Sequence, residues 1–111
     1  MAGAGYLVAR ELGPDRSQRA EVRIELEEVW FVAESVMAER AEGDVDIYPA
    51  PRRLVARVDG ATVEVTVERA GLERTTIAVL AQRALARADS DLAGVLLDEL
   101  LERLAARNPD R

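Results

Sequence analysis

The chain has 111 residues, 49% hydrophobic and 32% charged, with a net charge of −6. That length and balance suit one globular domain, and no apolar run approaches the roughly 18 residues a membrane helix needs. Cysteine and histidine are absent, which excludes disulfides, Cys/His zinc sites and His-dependent nucleophiles within one chain and makes the cytoplasm the expected location.

In chain order, residues 1–15 suit a loose terminus. Tyr6–Leu12 has the length of a short strand, which Gly13-Pro14 would end. The Tyr6–Ala9 run is too short for a signal-peptide core. From Ser17 to Glu42, two periods compete. Val22, Ile24 and Leu26 alternate like a strand, whereas Val22, Leu26, Val29, Trp30, Ala33, Val36 and Met37 recur at helical spacing. The longer window predicts a helix over residues 17–42, capped by Asp15 or Ser17 and ended by Gly43, with a strand over Ala20–Glu27 as the alternative. In that helix Ile24 and Phe31 fall opposite the main stripe, so it would touch two partners. Ile47-Tyr48 allows a brief strand before Pro49 and Pro51.

The central stretch is Arg53–Glu68. Asp59-Gly60 between two alternating runs predicts a hairpin, because a type I′ turn needs φ > 0 at both central residues. The register then opposes Val58 to Ala61 and Arg53 to Thr66. Leu54, Ala56, Val58, Val63, Val65 and Val67 would share the apolar face. Arg53, Arg57, Thr62, Glu64, Thr66 and Glu68 would share the other.

Thr75–Val79 suits a third strand. Ile77, Leu80, Ala81, Ala84, Leu85 and Ala88 also form a helical stripe, so the expected division is strand to about Val79 and helix over Ala81–Ala88. Asp89 or Ser90 caps a final helix to about Arg107, which Asn108-Pro109 stops. Its leucines spread over about half the circumference, wider than one sheet contact requires. With the two-sided first helix, this points to a homodimer; a thick monomer core is the other explanation. Ile24, Trp30, Phe31, Leu97 and Leu101 are the candidate interface residues. The fold class is α+β: a long N-terminal helix, an antiparallel meander and an amphipathic C-terminal helix, in one domain over residues 1–111.

No catalytic set, metal site or cofactor motif is present. Adjacent acids such as Glu27-Glu28 and Asp98-Glu99 point about 100° apart on a helix and do not converge. Charge is uneven. Residues 49–88 hold 7 arginines and 4 acids, while both flanks are net negative. Arg52, Arg53, Arg57, Arg69 and Arg74 are therefore the candidate phosphate contacts. Arg53 and Arg57 also lie diagonal to Glu64, so a cross-strand charge ladder competes with that role. No aromatic residue lies among these arginines in sequence, which argues against a stacking platform for single strands.

The run DGATVEVTVERAGLERTTIAV, followed by ADSDLAGVLLDELLERLAA, resembles the YbaB/EbfC nucleoid-associated family. Gly60, Val63, Val65, Val67, Gly71 and Ile77 carry the cadence, over roughly residues 55–107. YPAPRR stands where that family has a glycine-rich approach to its first long strand, and the usual Asp-Pro after the last strand is missing. The resemblance implies a bacterial, non-enzymatic homodimer that binds DNA weakly and with little sequence preference. Actinobacterial relatives also resemble type VII secretion accessories. The competing expectation is a protein-interaction module using the acidic helical surface.

Overall fold

A computed structural model describes residues 6–109. Its elements are β1 (Leu7–Leu12), β2 (Gln18–Val22), α1 (Leu26–Arg40), β3 (Asp46–Pro49), β4 (Arg52–Val58), β5 (Ala61–Gly71), β6 (Arg74–Arg83), β7 (Arg87–Ala88) and α2 (Ser90–Arg107). The strands form one antiparallel sheet in the order β1-β2-β6-β5-β4-β3, with β7 paired to β6. Both helices cover one face, so the domain is α+β in two layers.

The Asp59-Gly60 hairpin stands as the sequence predicts. Both residues have positive φ, 50° and 77°. Val58 opposes Ala61 and Arg53 opposes Thr66. Leu54, Ala56, Val58, Val63, Val65 and Val67 are buried together against the helices. Ile77, Val79 and Ala81 of β6 and Ala20 and Val22 of β2 continue that face. The strands expected near Tyr6–Leu12 and Ile47-Tyr48 are β1 and β3.

The long N-terminal helix over residues 17–42 is corrected. Two strands precede α1, which starts only at Leu26. Ala20, Val22 and Ile24 are buried by strand-like alternation, with the less buried Glu21 and Arg23 between them. The strand alternative, placed at Ala20–Glu27, had the right type but lay late in the chain. What holds β2 extended is its ladder to β6, Gln18↔Val79 through Val22↔Thr75, a pairing no local window contains. Beyond its end, the buried Thr75 hydroxyl donates to the Ile24 carbonyl at 2.7 Å.

Of the loose terminus expected over residues 1–15, the first five lie outside the described residues. The rest is β1 and an ordered turn. Asp15 Oδ1 accepts from the Ser17 amide at 3.0 Å and the Ser17 hydroxyl at 2.6 Å. Those two bonds hold the Asp15 carboxyl below its ordinary value.

The helix expected over Ala81–Ala88 is also corrected. β6 runs on to Arg83, because Ala81 and Gln82 pair with Val63 and Thr62. A single 3₁₀ turn, Ala84–Ala86, follows, with Leu85 fully exposed. Leucine and alanine favour helix, but β5 supplies a ladder that overrides the preference. Asp89 then caps α2, accepting from the Leu92 amide at 3.0 Å. The Leu92 amide and the Arg83 guanidinium together lower the Asp89 carboxyl's pKa.

The two-sided character of the helices has an explanation within one chain. α1 buries Val29, Val32, Ala33, Val36 and Met37. α2 buries Ala93, Leu96, Leu97, Leu100, Leu101 and Leu104. The helices pack on each other as well as on the sheet, so each needs an apolar arc wide enough for two contacts. Tyr6 closes the end of this core, its hydroxyl donating to the Leu101 carbonyl at 2.7 Å. Burial raises the Tyr6 pKa.

Candidate functional site

Strand alternation decides where each candidate arginine lies. Arg53 and Arg57 project from β4 on the face away from the helices, and Arg74 joins them from the start of β6. Arg52 and Arg69 project on the helix side, near the start of α1. The five are thus divided between two faces.

Most of them are occupied. Arg52 makes a bidentate pair with Glu27, Nη1 and Nη2 donating at 2.9 and 2.6 Å. That pairing raises the Arg52 pKa and lowers that of Glu27. Arg53 donates to Glu64 at 2.9 Å and Arg74 to Glu21 at 3.3 Å. Arg57 donates to the Gly60 carbonyl at 2.9 Å and the Thr62 hydroxyl at 3.4 Å. Arg69 has no hydrogen bond or ion pair among the described residues; it lines a cleft of about 110 Å³ beside Glu25, Leu26 and Arg74.

Aromatic contacts arise that spacing in the sequence does not reveal. The Arg53 guanidinium sits 4.1 Å from the Tyr48 ring centre, Arg52 lies 5.7 Å from Trp30, and Arg107 lies 5.1 Å from Phe31. The absence of aromatics among the arginines therefore holds in sequence but not in space. The signal was the β3–β4 pairing of Tyr48 with Arg53, which follows only once β3 is known to be the neighbour of β4.

The acidic helical surface is engaged in the same way. Arg103 bridges Glu39 and Glu99, and Arg40 also reaches Glu99. The Arg103 hydrogen bond holds the Glu39 carboxyl below its ordinary value. Arg10 of β1 pairs with Asp98, and Glu28 accepts from Asn108 at 2.9 Å. These pairs tie the helices to each other and to the sheet edge. Between them lies a broad groove of about 640 Å³ that includes Arg40, Val95 and Glu102. No group of three His, Cys, Asp or Glu residues among those described could hold a metal. No described helix is long and apolar enough to cross a membrane.

Of the candidate interface residues, Ile24 and Leu97 are completely buried in the chain's own core and Leu101 nearly so. Trp30 is partly buried against that core. Phe31 alone is well exposed, at 54%.

One broad surface has no covering element among the described residues: the sheet face opposite the helices. Its residues lie in cross-strand rows. The longest row crosses six strands, Tyr48–Arg53–Thr66–Ala78–Arg19–Glu11. On one side of it lies the row Asp46–Val55–Glu64–Leu80, and beyond that Arg57–Thr62–Gln82. On the other side lies Glu68–Thr76–Glu21–Ala9, and then Arg74. Small side chains in the middle leave a depression of about 140 Å³ floored by Thr66, Thr76 and Ala78. Four arginines and five carboxylates stand on these rows.

No protein-family model and no curated protein sequence matches the chain.

Proposed function

We propose that this protein is a non-enzymatic interaction module that binds another protein through the open face of its sheet. The observation that supports the reading is that no described element covers that broad face, although three of its four arginines are paired within the chain, Arg53 with Glu64, Arg74 with Glu21 and Arg19 with Asp15. The candidate phosphate contacts are split over two faces, and three of the five hold carboxylates. On the helices, Glu27, Glu28, Glu39, Asp98 and Glu99 pair with arginines of the same chain. The open sheet face alone is broad, mixed in charge and lined at its centre by half-buried Val55, Thr66, Ala78 and Leu80.

DNA association, which the YbaB/EbfC resemblance implies, is the second reading. One feature favours it: Arg57 and Arg69 have no carboxylate ion pair among the described residues. A gel-shift titration across salt concentrations separates the two readings. Each arginine that neutralises a phosphate contributes a log–log salt slope of roughly −0.9, so five contacts would give about −4 to −5 per subunit. The expected result is no shift at physiological salt and at most a shallow slope below it. A slope near the five-contact value, made shallower by Arg52→Ala with Arg53→Ala, would replace the protein-binding reading with DNA binding.

A further inference from the structure

We propose that the open sheet face takes a basic amphipathic helix of a partner protein, with its apolar stripe on Val55, Ala78 and Leu80 and its lysines or arginines on Asp46, Glu68 and Glu11. This rests on the protein-binding reading and names the partner's chemistry.

The charge left over on this face is negative. Arg53 is taken by Glu64, Arg74 by Glu21 and Arg19 by Asp15. Arg57 donates to the Gly60 carbonyl and the Thr62 hydroxyl. Asp46, Glu68 and Glu11 are exposed and make no hydrogen bond or ion pair among the described residues. With Asp15 of the β1–β2 turn included, four arginines stand against six carboxylates, a balance of −2. A face whose cations are held internally and whose carboxylates are free draws a cationic partner.

The strand register fixes how far apart those carboxylates stand. Asp46 lies on β3 in the row of Val55, Glu64 and Leu80, Glu11 on β1 in the next row, and Glu68 on β5 in the row after that. With strands about 4.8 Å apart and same-face residues about 6.7 Å apart along each strand, Glu68 is roughly 16 Å from each of the other two. Asp46 and Glu11 are roughly 25 Å apart on the same spacing. No single cation reaches two of them. A helix of about 17 residues spans the longest gap at 1.5 Å per residue.

The line from Asp46 to Glu11 also carries the apolar surface. It passes Val55 on β4 and runs between Leu80 and Ala78 on β6, all half-buried. The charges beneath it, Glu64 and Arg19, are the ones already held by Arg53 and Asp15. Thr66, Thr76 and Ala78 floor the depression of about 140 Å³ beside it, which receives a large side chain of the partner. Glu68 lies roughly 10 Å to one side of the line, next to the flank of a helix 10–12 Å across. A segment laid on this face finds no free backbone groups, because each interior strand spends its N–H and C=O groups on its two neighbours. The occupant must satisfy its own, as a helix does.

The test is fluorescence anisotropy of two labelled peptides titrated with the full chain. Both have about 18 residues and the same leucines, lysines and alanines, one in helical order and one with leucine at every second position. The helical peptide should bind roughly tenfold tighter or more, and its binding should weaken as salt rises. Ala78→Arg on the line, and separately Asp46→Arg with Glu68→Arg at exposed positions, should each weaken binding by roughly tenfold or more while melting near wild type. Asp91→Arg with Glu102→Arg makes the same change in net charge at exposed positions of α2 and should leave binding within about twofold.

A loss as large in the α2 control would reduce the effect to net charge and overturn the proposal. Tighter binding of the alternating peptide would keep the face and overturn the helix. No binding by either peptide, or binding indifferent to Ala78→Arg, would overturn the basic helix as occupant, while the interaction reading stands or falls separately on the gel shift. A wild-type chain that sediments above 12.2 kDa without peptide and returns to that mass in Ala78→Arg would give the face to a second copy instead.

Discussion

Leu97→Ala distinguishes a leucine that holds one chain together from a leucine that joins two. Leu97 is fully buried in α2 against the chain's own core. The substitution removes three carbons, worth about 2.4 kcal/mol at ~0.8 kcal/mol per methylene. The cavity left behind raises the loss to about 3–5 kcal/mol, since packed surroundings relax only partly. For 111 residues, an unfolding entropy of about 2.1 cal/mol/K per residue gives roughly 0.23 kcal/mol/K. A loss of 3 kcal/mol should then lower the midpoint by about 13 °C. Circular-dichroism melts at low and high protein concentration provide the assay. The drop should be the same at both, because the lost contacts lie within one chain. Phe31→Ala, at a position 54% exposed, should change the midpoint little. An unchanged midpoint for Leu97→Ala, or a drop seen only in dilute samples, would refute the assignment of Leu97 to the monomer core.

Gly60→Val should destabilise by about 1–2 kcal/mol, because a β-branched residue resists the positive φ of the turn. A Cβ there would meet nothing nearer than Arg83 Nη1 at 3.6 Å, so Gly60→Asn, which tolerates that φ, should melt close to wild type. Replacing both Leu85 and Ala86, at φ 62° and 56°, with glycine should raise the melting midpoint; a fall would mean that the exposed turn makes contacts that offset its backbone strain. Acid sensitivity should follow Asp15 and Asp89, whose folded carboxyls lie below their ordinary values. Their contribution is complete above the unfolded value of about 3.9 and is lost as pH falls through the lower folded value. Asp89→Asn should therefore flatten the decline of the melting midpoint below about pH 4, and a parallel decline would exclude that role.

Local chemistry specified much of this chain. Asp-Gly between alternating valines leaves little choice but a tight hairpin, and its register follows by counting. Asp89 before a leucine-rich run marks a helix start, because a side-chain oxygen must meet an orphan amide. Where two periods coincide, local pattern does not decide. Val22, Leu26 and Val29 are four and three residues apart, as in a helix, yet Val22 closes a strand and Leu26 opens the helix. Only the ladder to β6, more than fifty residues away, selects the extended form for Gln18–Val22. The same holds for Ala81 and Gln82, held in β6 by β5 despite helix-favouring neighbours.

The candidate site divides along the same line. The excess of arginine in the middle segment is a property of the sequence. Its distribution over two faces, its pairing with Glu27, Glu64 and Glu21, and the stacking of Arg53 on Tyr48 are properties of the assembled sheet. A charge's neighbours in space depend on strand order, and strand order is set by which apolar faces can be buried together. The sequence determined the hairpin, the cap and the two-sided leucine helix, because each is built from contacts a few residues apart. Tertiary structure decided the six-strand order, and with it the rows of charge, because those rows exist only where distant strands lie side by side.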